Sequence, residues 1–251
     1  MIFASKKLIL FHFSRAVQFQ AKNSDRSPDT PLCYATSNGC DHVVKFFLEH
    51  DVNLQEEDYR DALYAASDEG HSAIVELLLN HGANMNLQKR HDRNALYTAT
   101  QNGHLAIVEL FLDHSANTNL QKEDYKYALY TASQKGHSAI VKLLLDHGAD
   151  VNRQEGGNCG NALCAASISG HSAIVQLLLD HGAEVNGEEG IYGNALCVAS
   201  LSGQSAVVKL LLDHGADPNM RGHHGTALEV ASWAGYKDIV QILFNAGTVK
   251  A

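Results

Sequence analysis

Gly136-His137-Ser138-Ala139-Ile140-Val141-Lys142-Leu143-Leu144-Leu145-Asp146-His147-Gly148-Ala149 decides the fold, because the chain writes this phrase repeatedly. It stands almost unchanged as Gly70-His71-Ser72-Ala73-Ile74-Val75-Glu76-Leu77-Leu78-Leu79-Asn80-His81-Gly82-Ala83, and again from Gly170 to Ala183. Copies of the larger unit begin at Ala62, Ala95, Ala128, Ala162, Ala195 and Ala227, and a weaker one opens the series at Pro31. The glycines at 39, 70, 103, 136, 170, 203 and 235 are separated by 31, 33, 33, 34, 33 and 32 residues. A self-similar period of this length marks a solenoid, in which each unit covers the apolar face of its neighbour. Such a fold offers a long open surface rather than one enclosed pocket, which points to recognition rather than chemistry.

Each unit divides into two short helices. The first runs approximately from Ala162 to Ser169 and is begun by Asn161, whose side-chain oxygen can cap free backbone N–H groups. Asn94 and Asn194 serve likewise, Asp61 and Thr226 substitute for them, and Tyr127 cannot. Small residues such as Ala165-Ala166-Ser167 let neighbouring backbones approach closely. Gly170 breaks the helix, and a second one from His171 to about His181 carries Ile174, Val175, Leu177, Leu178 and Leu179. That band is too wide for a helix with one buried stripe, so it must touch its partner and both neighbouring repeats. Gly82, Gly148, Gly182, Gly215 and Gly247 are expected to end these helices in the left-handed conformation. Asp51 and Ser115 replace that glycine and predict weaker ends. The loops vary most, from Gln55-Glu56-Glu57-Asp58-Tyr59 to Glu188-Glu189-Gly190-Ile191-Tyr192, so helices serve stability and loops serve recognition.

The 251 residues are 45% hydrophobic, enough for a sizeable core, and carry a formal charge of −9. An acidic surface repels phosphate backbones, which argues against nucleic acid. No run reaches the roughly 18 apolar residues needed to cross a bilayer, so the array is expected to be soluble. Cys33, Cys164 and Cys197 occupy equivalent places in their repeats. Equivalent points on stacked helices lie about 8–10 Å apart, beyond the roughly 7 Å a disulfide allows between Cα atoms. Together with the odd total that includes Cys40 and Cys159, this favours free thiols and a cytoplasmic or nuclear location. Residues 1–29 stand outside the repeat and read as an irregular extension. Lys6, Lys7 and Arg15 around a short apolar core also suit a mitochondrial-type presequence, and less well a signal peptide. The array spans 30–248, and 249–251 is a tail.

The pattern resembles the ankyrin repeat family. Thr30-Pro31-Leu32, Gly70-His71, Gly136-His137, Gly170-His171, Gly148-Ala149-Asp150-Val151-Asn152 and Gly215-Ala216-Asp217-Pro218-Asn219 match its consensus elements at fixed spacing. The resemblance implies an all-α solenoid of about seven repeats, a monomeric array that binds protein partners without cofactor or catalysis. Tyr64, Tyr97, Tyr130, Cys164 and Cys197 stand where the family's turn-bracing histidine would be, leaving asparagine capping to compensate. The Gly-Asn-Ala-Leu-x-x-Ala-Ser wording resembles arrays of filamentous fungi, which often form the C-terminal sensor of NACHT-type, NLR-like proteins. That implies the alternative of a sensor fragment of a larger signalling protein, and apolar Ile242, Leu243 and Phe244 in the final helix agree with it. Asn152 and Asn186 stand in a context resembling one hydroxylated in some ankyrin proteins, although asparagine there more often braces the loop.

His50, His81, His114, His147, His181 and His214 recur one repeat apart, too far to share a metal ion, and suit a helix C-terminus instead. No nucleophile, base and orienting group stand together in a catalytic pattern, and no glycine loop cradles phosphate. The sharper signal lies in the two residues before each breaker glycine, which in ankyrin arrays face the concave groove. They are polar in the first four repeats, with Asp68 and Glu69 among them, then present Ile168, Leu201 and Trp233 in succession. These three, walled by Ile191 and Tyr192, form the candidate partner surface, with Trp233 as its anchor. The competing arrangement folds these side chains into the core. Asp68, Glu69 and the acidic run Glu56-Glu57-Asp58 offer a second surface for a basic partner.

Overall fold

Asparagine begins the helices, as its short acceptor side chain suggests. The computed structural model describes residues 30–50, 53–87, 94–114, 122–154, 160–187 and 193–248. In it, Asn94, Asn161 and Asn194 each accept a hydrogen bond at 2.9 Å from the backbone N–H three residues on, at Tyr97, Cys164 and Cys197. Thr226 caps with Glu229 in a reciprocal box, and Thr30 caps ahead of Pro31. The described residues hold fourteen helices and one hairpin of two two-residue strands. None of the helices is long and apolar enough to cross a membrane.

The chain divides into two compact units, residues 1–120 and 121–251. The first holds three helix pairs: α1 (Pro31–Ser37) with α2 (Asp41–Glu49), α3 (Glu56–Glu69) with α4 (Ser72–Asn80), and α5 (Ala95–Asn102) with α6 (Leu105–His114). The second holds four: α7 (Lys122–Lys135) with α8 (Ser138–Asp146), α9 (Ala162–Ser169) with α10 (Ser172–Asp180), α11 (Ala195–Leu201) with α12 (Ser205–Asp213), and α13 (Ala227–Ala234) with α14 (Lys237–Thr248). Within each unit every first helix packs on the next first helix and every second helix on the next second helix. This is the ankyrin-repeat solenoid expected from the period, all-α apart from the hairpin β1 (Arg221–Gly222) and β2 (Gly225–Thr226).

The core follows the predicted bands with one refinement. Ile74, Val75 and Leu78, and their counterparts Ile140, Val141 and Leu144, are buried, while the first leucine of each triad, Leu77 or Leu143, stays half-buried. The middle leucine therefore holds the layer. Leu144→Ala is expected to cost roughly 2–5 kcal/mol in chemical denaturation, against the small change expected at a half-exposed side chain.

Three local expectations fail, each for a visible reason. Asp61 caps nothing: it lies inside α3, which starts one and a half turns earlier, where Asp58 Oδ2 accepts from the Gln55 N–H at 2.9 Å. The acidic run Glu56-Glu57-Asp58 is therefore the first turn of a helix, favoured by the positive end of its dipole, and not a loop. Lys122 to Tyr127 likewise belongs to α7. Gly247 lies within α14 and ends no helix, because Ala246 replaces the histidine that closes the earlier ones. Asp51 and Ser115 lie outside the described residues.

The recurrent histidines are structural. Nδ1 of His50, His81, His114, His147, His181 and His214 lies between 2.8 and 3.1 Å from the carbonyl oxygen four residues back. A carbonyl only accepts, so Nδ1 carries the proton and fills one of the acceptors left open at a helix end. Asn152 and Asn186 brace consecutive loops. Asn152 donates to the Gly182 carbonyl and accepts from the Glu184 N–H, and Asn186 repeats this with Gly215 and Asp217. The turn-bracing role expected of histidine falls partly to thiols: Cys33, Cys164 and Cys197 point Sγ at carbonyls of the next repeat, 3.7, 3.9 and 3.7 Å away. Burial pushes the Cys197 thiol above its usual range, which keeps it a protonated donor.

Small hydroxyls recur at one position of the first helices in each unit. Thr36 and Ser67 donate to the carbonyl four residues back at 2.7 Å, whereas the buried hydroxyls of Thr100, Ser133, Ser167 and Ser200 have no partner. An unpaired buried hydroxyl costs about 1–3 kcal/mol, so the double change Ser167→Ala and Ser200→Ala is expected to leave the denaturation midpoint unchanged or raise it. A clear fall would show that these hydroxyls do find an acceptor.

Candidate protein-binding surface

The surface is set by how one repeat grips the next. At four positions the side chain after a breaker glycine reaches back to the carbonyl two residues before the preceding glycine. His71 Nε2 lies 3.2 Å from the Ser37 oxygen and His104 Nε2 3.1 Å from that of Asp68. In the second unit His171 Nε2 lies 3.2 Å from the Gln134 oxygen, and Gln204 Nε2 donates to that of Ile168 at 3.4 Å. The ring or amide lies flat over the glycine in between. A Cβ on Gly136 would sit 2.8 Å from His171 Cε1. This glycine is thus required twice, for φ of +86° and for the space above it, whereas Gly148, at +81°, has nothing within 4 Å. Gly136→Ala should therefore destabilise more than Gly148→Ala, by about the 1 kcal/mol of a lost hydrogen bond, in parallel urea titrations.

That grip engages the main chain of Ser37, Asp68, Gln134 and Ile168 and not their side chains, whose exposure differs from repeat to repeat. In the first unit Asp68 and Glu69 are exposed at the end of α3. Asp68 is partly committed to structure: Asn102 Nδ2 donates to its carboxylate at 2.9 Å and to its carbonyl at 3.0 Å. Glu69 is the freer charge.

In the second unit the equivalent positions are graded. Ile168 and Leu201 are half-buried and Trp233 is 83% exposed. Leu201 and Trp233 border one open groove of about 350 Å3, together with Val230 and His224. Ile168 does not line it, and Ile191 and Tyr192 lie outside the described residues. Trp233 is thus open to solvent, whereas Leu201 and Ile168 are half-buried alike and only Leu201 borders the groove.

Neither Val230 nor His224 is among the partner-surface residues expected from the sequence. Val230 is i−3 from Trp233 and so shares its helix face, a signal available in the spacing. His224 is brought in by the hairpin, where Arg221 pairs with Thr226 and Gly222 with Gly225, placing His223-His224 at the turn. The hairpin is tied down on both sides. Arg221 and Glu229 form an ion pair at 3.3 Å, and the Thr226 N–H donates to Glu229 at 2.7 Å. This hydrogen bond, aided by the Arg221 charge, holds the Glu229 carboxyl below its usual range. On the other side, a Cβ at Gly193 would come within 2.5 Å of Gly222 Cα, so the two loops touch backbone to backbone.

Segments 3–89, 82–155 and 163–250 each match the family described as "Ankyrin repeats (3 copies)", and the chain belongs to the ankyrin-repeat family. The first of these matches takes in most of the stretch that the period alone leaves outside the array. The crystal structure of the ankyrin repeat domain of Bcl-3, described as a unique member of the IkappaB protein family, is similar with a TM-score of 0.73. It is 28% identical, and the match covers 87% of this chain and 100% of that one. The human ASB11 ankyrin repeat domain matches with a TM-score of 0.75 at 25% identity, covering 86% of this chain and 97% of the other. No curated protein sequence matches. Ankyrin repeat domains generally mediate protein–protein interaction and are typically not enzymes.

Proposed function

We propose that this chain is a non-catalytic recognition scaffold that holds a protein partner through the groove beside Trp233. The carrying observation is the exposure of that side chain, 83% open near the end of α13 and beside the groove floor. A large exposed aromatic costs solubility without contributing to the core, and tryptophan is enriched among residues that dominate binding energy. Leu201 and Val230 supply an apolar floor and His224 a polar rim, which suits an apolar side chain flanked by a hydrogen-bonding group. Half-buried Ile168 stands one repeat before Leu201 in the same row but outside the groove, and Asp68 and Glu69 in the first unit add charge for steering a basic segment. The buried thiols of Cys33, Cys164 and Cys197 suit a reducing compartment, cytoplasmic or nuclear.

We propose as a second reading a sensor region of a larger NLR-like protein, on the likeness of the wording Gly193-Asn194-Ala195-Leu196-Cys197-Val198-Ala199-Ser200 to arrays in such proteins. Co-purification from cells of an endogenous longer form bearing a nucleotide-binding domain distinguishes it from a free-standing scaffold.

Trp233→Ala should leave the melting temperature nearly unchanged. Loss of about 2 kcal/mol of binding would lower capture of the partner from source-cell extract by roughly thirtyfold. Equal recovery of the same proteins by wild type and Trp233→Ala would remove the groove from the account. A parallel fall in folding and capture would return Trp233 to the core.

A further inference from the structure

One buried column of the second helices opens at α2. Ile74 and Ile107 in the first unit, and Ile174, Val207 and Ile239 in the second, are each no more than 1% exposed. Val43 holds the same position in α2 and is half-buried. Ile239 is closed although α14 is the last helix of its unit, so the column faces the pair before it and not the pair after. The open side of α2 is therefore turned toward what precedes it in the chain. Cys40 marks the same edge. It stands where His71, His104, His171 and Gln204 reach back to an earlier first helix, and its Sγ turns instead to the Asn38 oxygen of its own turn, 3.8 Å away. An element covering this edge thus has to supply only the second-helix layer.

We propose that the chain's own segment Lys7-Leu8-Ile9-Leu10-Phe11-His12-Phe13-Ser14-Arg15 docks on this edge as the second-helix layer of one further, incomplete repeat. The segment lies outside the described residues, and its register comes from the sequence. The ankyrin match runs from residue 3 to residue 89, so the family pattern continues ahead of Pro31. Ile9 precedes Pro31 by 22 residues, as Ile140 precedes Ala162. In that register Ile9, Leu10 and Phe13 take the places of Ile140, Val141 and Leu144, which are buried in α8. His12 takes the place of half-buried Leu143, and Lys7 and Arg15 take those of exposed Ser138 and Asp146. The apolar run and flanking bases that suit a presequence become the packed stripe and outer rim of a stacking helix. A segment committed to this contact stays in the mature chain and is not an import address. The edge is separate from the groove formed by Leu201, His224, Val230 and Trp233, and the proposal stands or falls independently of that reading.

Hydrogen exchange and urea unfolding of the full chain test it. Phe13→Asp should speed exchange of the α2 amides by about tenfold or more and lower the unfolding midpoint. Phe11→Asp, which takes the place of exposed Lys142 in the same register, should leave both where they are. A double-mutant cycle checks the contact itself and decides the matter should Phe13→Asp fail to fold. Phe13→Ala and Val43→Ala combined should shift the midpoint by less than the sum of their separate shifts, because each removes the same packing. Strict additivity in the cycle, equal effects of the two aspartates, or α2 exchange indifferent to Phe13→Asp would overturn the proposal. So would a mature chain from source cells that starts beyond residue 15, the outcome a cleaved presequence requires.

Discussion

Four carbonyls carry the architecture within the two units. The peptide oxygens of Ser37, Asp68, Gln134 and Ile168, each two residues before a breaker glycine, bond the side chain that precedes the next repeat's second helix, as Gln134 does with His171. A short helix pair buries too little apolar surface to fold alone, so its stability is borrowed from such contacts and from the buried valine, isoleucine and leucine beneath them. The glycine must be bare for the ring to lie flat, and the first helix must be small-residued for the layers to close. From those two demands follow the Ala-Ala-Ser wording, the Gly-His dipeptide and the period itself.

The same constraint explains why recognition sits where it does. Stacking uses the backbone before the glycine and leaves the side chains there unassigned, so they can vary without unfolding the array. In the first unit one of them, Asp68, is drawn back into structure by Asn102. In the second, Trp233 is left almost wholly to solvent, beside a hairpin pinned by Arg221, Glu229 and the Gly193–Gly222 contact. A rigid rim next to an exposed indole is what a preorganised binding surface needs, because little side-chain or loop freedom remains to be lost on docking.

Much of this was legible in the residues. Asn94, Asn161 and Asn194 announce helix starts because capping is a local interaction. The breaker glycines and the leucine bands announce the helix pairs because their period is that of the fold. What stayed hidden depends on competition between nearby signals or on contacts between repeats. Asp61 looks like a cap until Asp58, three residues earlier, wins by closing on the Gln55 N–H. Gly247 looks like a helix end because glycine usually is one, yet without a preceding histidine the helix runs on. His224 reaches the groove only once the hairpin folds, and the unpaired hydroxyls of Ser133, Ser167 and Ser200 are visible only between packed helices.

The central claim is that neighbouring repeats hold one another through the side chain over the glycine. Native-state hydrogen exchange of His171→Ala tests it most directly. The account expects protection to fall together in α7, which supplies the Gln134 carbonyl, and in α9 and α10, which carry the missing ring. Loss confined to α10, with α7 as protected as in the wild type, would contradict it.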